Sequence, residues 1–307
     1  MSTLTLAEAQ KGQRLDRAVH DALVEAKHEV SMREVRDALV DGRILINGKT
    51  RAPGLRAIGG ESVDVSAFVS RVEAIITPEP MLLLECDILY DDARRLCLAK
   101  PGNVPSQPLK PEERGTMLGA AIAHTPSIAQ AGPPLEGGLV HRLDIQTSGA
   151  LLFAKDMATR LMLRRAFASG AVEKRYHALV WDPENRIRAG RKIDAWIGRG
   201  QDPSRVAVRP PQTRDAQSAL TEIVSIERLS ESWRFIELLA RTGRRHQVRV
   251  HLASLGTPIA GDTLYGGPSA PDLERLALHA SRLVLPDRLA IDAPLADDLA
   301  RVCERLS

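Results

Sequence analysis

Gly138-Leu139-Val140-His141-Arg142-Leu143-Asp144-Ile145-Gln146-Thr147-Ser148-Gly149 sets a histidine, an arginine and a carboxylate within four residues, directly ahead of the apolar run Ala150-Leu151-Leu152-Phe153-Ala154. The polar knot reads as a tight turn, and 149–155 as a strand buried in a sheet. Polar groups packed so close to a buried strand need hydrogen-bond partners or a function. Two readings stay open from this stretch alone. In one, Asp144 caps the turn by bonding at Thr147 or Ser148; in the other, it is a reactive carboxylate.

Working outward, β-type runs recur at 176–180, 221–226, 233–239 and 283–285. Helical spacing covers 157–168 and 246–255, the second ending at Gly256 with Pro258 beyond. Upstream, Ile88-Leu89-Tyr90-Asp91-Asp92 and Leu96-Cys97-Leu98-Ala99 read as a hairpin, closed off by Lys100-Pro101-Gly102. A Pro- and Gly-rich stretch, 101–137, surrounds a short helix at 117–123. Strands interleaved with few helices predict an α+β domain around a mixed, mostly antiparallel central sheet.

The N-terminal segment reads as a separate α/β module. Arg14-Leu15-Asp16-Arg17-Ala18-Val19 opens a helix, and Ser31 with Glu34 forms a capping box before a second one carrying Val35, Leu39 and Val40. That helix should stop near Asp41-Gly42. Arg43-Ile44-Leu45-Ile46-Asn47-Gly48-Lys49 then reads as a strand turning at Asn-Gly, and Gly59-Gly60-Glu61 leads into a further strand at Val63-Asp64-Val65. The expected organisation is a module at 13–70, a linker at 71–84 broken by Pro78 and Pro80, and a large domain at 85–307.

A second chemically dense stretch is Leu238-Leu239-Ala240-Arg241-Thr242-Gly243-Arg244-Arg245-His246-Gln247-Val248-Arg249-Val250-His251. A strand ends there and a helix begins among arginines. Unpaired backbone N–H groups and the positive end of the dipole suit a phosphate or a carboxylate. His246 and His251, at i and i+5, fall on roughly opposite helix faces with no cysteine or second carboxylate beside them, so no metal is expected. Net charge is only +3, but 186–214 holds eight basic residues against two acids, and 241–251 holds four arginines and no acid. Arginine-rich, acid-poor stretches in one domain point to an anionic polymer.

Other classes drop away on composition. No apolar run approaches the ~20 residues needed to span a bilayer, and the first residues lack the pattern of a signal peptide. Cys86, Cys97 and Cys303 form no CxxC pair, which suits inert thiols in a reducing compartment, the cytoplasm.

His141-Arg142-Leu143-Asp144 with Thr147-Ser148-Gly149, Lys174-Arg175-Tyr176-His177-Ala178-Leu179-Val180, and 242–251 together resemble the signature motifs of RluA-type pseudouridine synthases. The similarity runs on through Gly256, Pro258, Gly261-Asp262, Tyr265-Gly266 and Leu278-His279-Ala280, so it spans about 85–300. Segment 13–70 resembles the ribosomal-protein-S4-like RNA-binding domain, through Arg14-Leu15-Asp16, Ser31-Met32-Arg33 and 41–49. The resemblance implies that Asp144 initiates cleavage between uracil and ribose, as nucleophile or by promoting a glycal-type intermediate. It implies that Tyr176 stacks on the target base and is a candidate base at C5. Arg249 would pair with Asp144, and Arg142 would fill the gap left by a flipped-out nucleotide. His141, Lys174, Arg244 and Arg245, with Arg33, Arg36 and Lys49 of the module, would contact RNA. No cofactor or metal is implied, because the reaction is an isomerisation.

The chain departs from the family pattern at Ile145, Gln146 and Arg245, and in the placing of Lys100-Pro101-Gly102. Stretch 186–214 is expected to be a substrate-specific loop. The expected partner is RNA, 23S ribosomal RNA or its precursor, met by a monomer; transfer RNA is the alternative substrate. The rival classes are a small-subunit ribosomal RNA synthase, whose motif usually has Gly in place of His141, and a non-catalytic ribosome-assembly factor, which would have lost Asp144, Tyr176 or Arg249. A glycosidase or nuclease would need paired carboxylates or metal ligands.

Overall fold

The computed structural model of the chain describes residues 3–26, 28, 30–68, 86–110 and 113–307. Its internal contacts divide it into two compact units, Met1–Ile76 and Thr77–Ser307. The expected linker, 71–84, lies outside the described residues.

In the first unit, apolar residues at helical spacing make two amphipathic helices, α1 (Leu15–Glu25) and α2 (Met32–Val40). Leu15, Ala18, Val19 and Leu23 of α1 meet Val35, Ala38 and Leu39 of α2 in a core with Ile44, Ile46, Val63 and Phe68. The capping box is present: the Ser31 hydroxyl accepts from the Glu34 N–H at 3.2 Å, and the Glu34 carboxylate accepts from the Ser31 N–H at 2.7 Å. Three short antiparallel strands, β1 (Thr3–Thr5), β2 (Leu45–Ile46) and β3 (Ser62–Asp64), lie in the order β1-β3-β2. Asn47 and Gly48 turn the chain after β2 with φ of 49° and 71°, a left-handed pair that Asn-Gly tolerates. The unit therefore starts before residue 13. Strand β1 is too short to show alternation, but its pairing with β3 and the buried Leu6 draw it in.

The second unit is built on a ten-stranded sheet among the described residues. Its strands are β4 (Ile88–Asp91), β5 (Arg95–Lys100), β6 (Ser148–Ala154), β7 (Glu173–Trp181), β8 (Lys192–Arg199), β9 (Val206–Arg209), β10 (Gln217–Arg228), β11 (Trp233–Ala240), β12 (Leu278–Val284) and β13 (Ala290–Asp292). They run in the order β4-β5-β6-β12-β7-β11-β10-β8-β9, with β13 on β12. Among the described residues, only β6 and β12 pair in parallel. The α+β architecture with a mixed, mostly antiparallel sheet is the one expected.

Strand β6 is buried along its whole length, which is why it reads as an unbroken apolar run. Leu151 and Phe153 meet Met117, Leu118, Ala121 and Ile122 on one side, chiefly from helix α3 (Met117–His124). Ala150, Leu152 and Ala154 pack with Leu163 of α4 (Met157–Ser169) on the other. Helix α5 (Gln247–Ser254) lies against β8–β10, and through Val248 and Leu252 it shares a core with Leu299 and Val302 of the C-terminal helix α6 (Asp297–Leu306).

Stretch 186–214, expected as a loop, contains β8 and β9. Ile193 and Ile197 turn inward while the arginines point to water, and that alternation is masked by charge density. Among the described residues, no helix is long and apolar enough to cross a membrane.

Candidate active site

The sheet order brings three distant segments together. The turn before β6 carries Asp144, the middle of β7 carries Tyr176, and β11 ends at Ala240 just before the arginine-rich turn into α5. These line one cleft with Arg142, Thr242, His246 and Arg249. Arg249 Nη1 donates to Asp144 Oδ2 at 2.9 Å. The other edge of the same guanidinium is taken by Asp262, which accepts from Nε and Nη2 at 2.8 Å each. His246 Nε2 stands 3.9 Å from the second Asp144 oxygen. Asp144 keeps 29% of its side chain exposed toward the cleft, whereas Asp262 keeps 1%.

The Asp144 turn is held through its own carbonyls, which accept from Lys100. Lys100, at 1% exposure, donates to the carbonyls of Pro101, Ile145 and Thr147 at 2.9, 2.7 and 2.7 Å. Burial, with Arg275 adding to it, pushes this ammonium down to about 7, against a smaller upward pull from Asp144. Arg275 donates to the carbonyl of the intervening Gln146 at 3.1 Å. Ser106 closes the other flank, donating to the Leu143 carbonyl and accepting from the Leu143 N–H. Asp144 does not cap Thr147 through its side chain; the Thr147 N–H donates to the Asp144 backbone carbonyl at 3.0 Å. That leaves the carboxylate free for Arg249 and the cleft.

A family model described as RNA pseudouridylate synthase matches residues 95–254, just over half of the chain. The chain belongs to that family. The "Uncharacterized RNA pseudouridine synthase YlyB" of Bacillus subtilis (strain 168) is 30% identical over 99% of this chain and 97% of its own length. "Ribosomal large subunit pseudouridine synthase D" of Escherichia coli (strain K12) is 30% identical over 98% of this chain and 93% of its own. The solved structure of human RNA pseudouridylate synthase domain containing 1 superimposes with a TM-score of 0.56 at 27% identity, covering 71% of this chain and 86% of that one. Human domain containing 4 has the same TM-score at 24% identity and is similar in fold. The protein is therefore an RNA pseudouridine synthase, which isomerises uridine to pseudouridine.

The residues around this pseudouridine synthase cleft divide by environment. Arg142 is exposed, and among the described residues it has no carboxylate partner. Arg244 and Arg245 are exposed too, but each spends donors on backbone carbonyls: Arg244 on Ser218, Arg245 on Pro203 and Ser204. His141 and Lys174, expected to contact RNA, are engaged within the protein itself. The His141 ring stacks on Phe167 with centroids 4.5 Å apart, and its Nε2 accepts from the Leu152 N–H at 3.1 Å. Burial, reinforced by Lys174, pushes His141 down to about 3, so it is neutral and shapes the turn from inside. Lys174 is 4% exposed on β7, and burial followed by the Arg244 charge pushes it down to about 8.

In the N-terminal unit, Arg33 and Lys49 are exposed. Arg36 donates through Nε to the fully buried carboxylate of Asp16 at 2.9 Å, beside Arg14, so part of its charge is spent inside the unit. His246 and His251 go to different partners, the first to the Tyr265 hydroxyl at 2.9 Å and the second to Thr221 at 2.9 Å. Lys100, Ser106, Asp262 and Arg275 had no assigned role in the sequence. For Asp262 a signal existed, since Gly261-Asp262 belongs to the matched pattern. For the others there was none, because a side chain that grips carbonyls has no characteristic spacing.

Proposed function

We propose that this synthase acts on large-subunit ribosomal RNA and that Asp144 initiates glycosidic bond cleavage. The observation that carries the second part is the Arg249–Asp144 pair at 2.9 Å, opening into a cleft beside Tyr176. The guanidinium favours the ionised carboxylate and aims it. The first part rests on full-length relatives named ribosomal large subunit pseudouridine synthase D.

A uridine in structured RNA must leave its stack before the bond from N1 to C1′ can be attacked. Extrusion costs on the order of a few kcal/mol, least for an unpaired base. Arg142, exposed at the rim, fills the vacated place, and Tyr176 offers a stacking face that offsets about 1–3 kcal/mol. Asp144 then acts at the sugar, by attack at C1′ or by drawing off the C2′ proton. The freed uracil turns, C5 bonds to C1′, and the C5 proton leaves.

Burial, followed by the Asp144 charge, raises the Tyr176 phenol above its ordinary value, so it enters the reaction protonated. That suits stacking. In the N-terminal unit, the exposed Arg33 and Lys49 serve RNA contact as in an S4-like domain, with Arg36 contributing what Asp16 leaves free.

Pseudouridine mapping of total RNA tests both parts, using cells with the wild-type protein, none, or Asp144→Ala. Sites in large-subunit ribosomal RNA should vanish in the null and the variant alike. Sites that persist with Asp144→Ala would remove Asp144 from the chemistry, and lost sites lying only in transfer RNA would refute the ribosomal assignment.

A further inference from the structure

We propose that Asp262 is a positioning residue for the isomerisation, fixing the plane of Arg249 and sharing its charge so that Asp144 is aimed without being neutralised. This rests on the reading of Asp144 as the initiating group. A guanidinium held side-on by one carboxylate through Nε and Nη2 has its plane set, which fixes the direction in which Nη1 points. Here both Asp262 oxygens sit at 2.8 Å, and Nη1 points at Asp144. The sharing is unequal by design of the burial: Asp262 is sealed at 1% exposure while Asp144 opens to the cleft.

The loop carrying Asp262 is built to hold it still. Its N–H donates to the Ile259 carbonyl, and its own carbonyl accepts from the N–H groups of Tyr265 and Gly267. A Cβ on Gly261 would stand 2.2 Å from the Arg275 carbonyl oxygen, and one on Gly267 would stand 1.8 Å from that of Ile259. The turn closes only with glycine at both places. The Tyr265 ring covers the guanidinium at 5.1 Å, which fixes the third side. Two carboxylates on one cation leave the trio with a net charge of −1. Asp144 thus meets a fixed donor but retains negative charge for the sugar. The other groups that act on Asp144 are His246 at 3.9 Å and, through the field, Lys100 and Tyr176.

The test follows tritium release from C5, on total RNA labelled with [5-³H]uridine and taken from cells lacking the protein. The full chain is compared as wild type, Asp262→Asn, Asp262→Glu and Asp144→Ala, with melting temperatures in parallel. Asp262→Asn should lower kcat about 10²-fold, the scale of a misplaced catalytic group, with apparent KM held. Because a negative charge is lost, Asp144 feels Arg249 more strongly, and the acid limb of the pH–rate profile should move to lower pH. Asp262→Glu keeps the charge and displaces the carboxylate, so kcat should fall with the limb unmoved.

Wild-type kcat in both variants would overturn the proposal. So would a kcat loss in Asp262→Asn that tracks melting temperature with the acid limb in place, which marks a structural role alone. If Asp262→Asn does not fold, Asp262→Glu decides: kcat lowered at constant KM supports aiming, and wild-type kcat refutes it. Activity surviving in Asp144→Ala sinks the underlying reading and this one with it. Activity lost there but untouched by the Asp262 variants sinks only the role of Asp262.

Discussion

Asp144 and Arg249 lie 105 positions apart in the chain and 2.9 Å apart in space, and the proposed chemistry of Asp144 rests on that contact. Removing either has different consequences. Asp144→Asn keeps the size and one acceptor but loses the charge. It should cut single-turnover tritium release by on the order of 10³-fold or more, with RNA binding retained in a filter assay. Loss of binding in step with activity would contradict a chemical role. Arg249→Met leaves Asp262 buried without its cation, so urea unfolding should show a loss of about 3–5 kcal/mol. A stability near wild type would mean that Asp262 finds another partner or protonates.

At the scale of elements, the turn between Leu143 and β6 is set by what touches its carbonyls. Three successive carbonyls, Ile145 to Thr147, are held by Lys100 and Arg275, and Arg275 is in turn clamped by Asp298 of α6 at 2.5 and 2.7 Å. The C-terminal helix thus bears on the turn that carries Asp144. Asp298→Ala should cost about 1–3 kcal/mol, the worth of hydrogen bonds to a charged group, read in the same urea titration. It should also lower kcat more than KM; an unchanged kcat would disconnect α6 from the turn. Strand β6 carries a second constraint. Gly149 has φ of 114°, and a Cβ there would stand 2.2 Å from the Ala280 carbonyl oxygen of β12. Gly149→Ala should cost roughly 1–3 kcal/mol through strain and separate the one parallel pair in the sheet. A melting temperature equal to wild type would refute that.

Across the whole molecule, three histidines, two of them buried outright and the third half-buried, link stability to pH. Burial pushes His141 down to about 3, and His251 and His279 down to about 4, from an ordinary 6.5. His279 shows why neutrality suits the fold: its Nε2–H donates to the Ala293 carbonyl, leaving Nδ1 to accept from the Ser148 hydroxyl. Below pH ~6.5 the unfolded chain binds protons that the folded chain refuses, so stability falls as pH is lowered toward about 4. Thermal melts between pH 7.5 and 4.5 should show that decline, flattened in His279→Gln. A melting temperature level across the range would refute it.

The sequence alone determined what depends on local periodicity and turn chemistry. It supplied the α+β class, the capping box at Ser31, the Asn47-Gly48 turn, most strands of the large sheet and the helices at Met117, Met157 and Gln247. The resemblance of its motifs to a known family singled out Asp144, Tyr176 and Arg249, which the fold brings to one cleft. What it left out depends on burial and long-range pairing. Strand β1 and strands β8 and β9 were missed because a three-residue strand shows no alternation, and because arginines hid the alternation of Ile193 and Ile197. His141 and Lys174 were expected only to face RNA, and it is packing that stacks the one on Phe167 and encloses the other. Lys100, Asp262 and Arg275 acquire their positions from partners 45, 13 and 129 residues away. No spacing encodes such contacts; they arise when β6, β7, β11 and β12 pair and the turns at their ends meet.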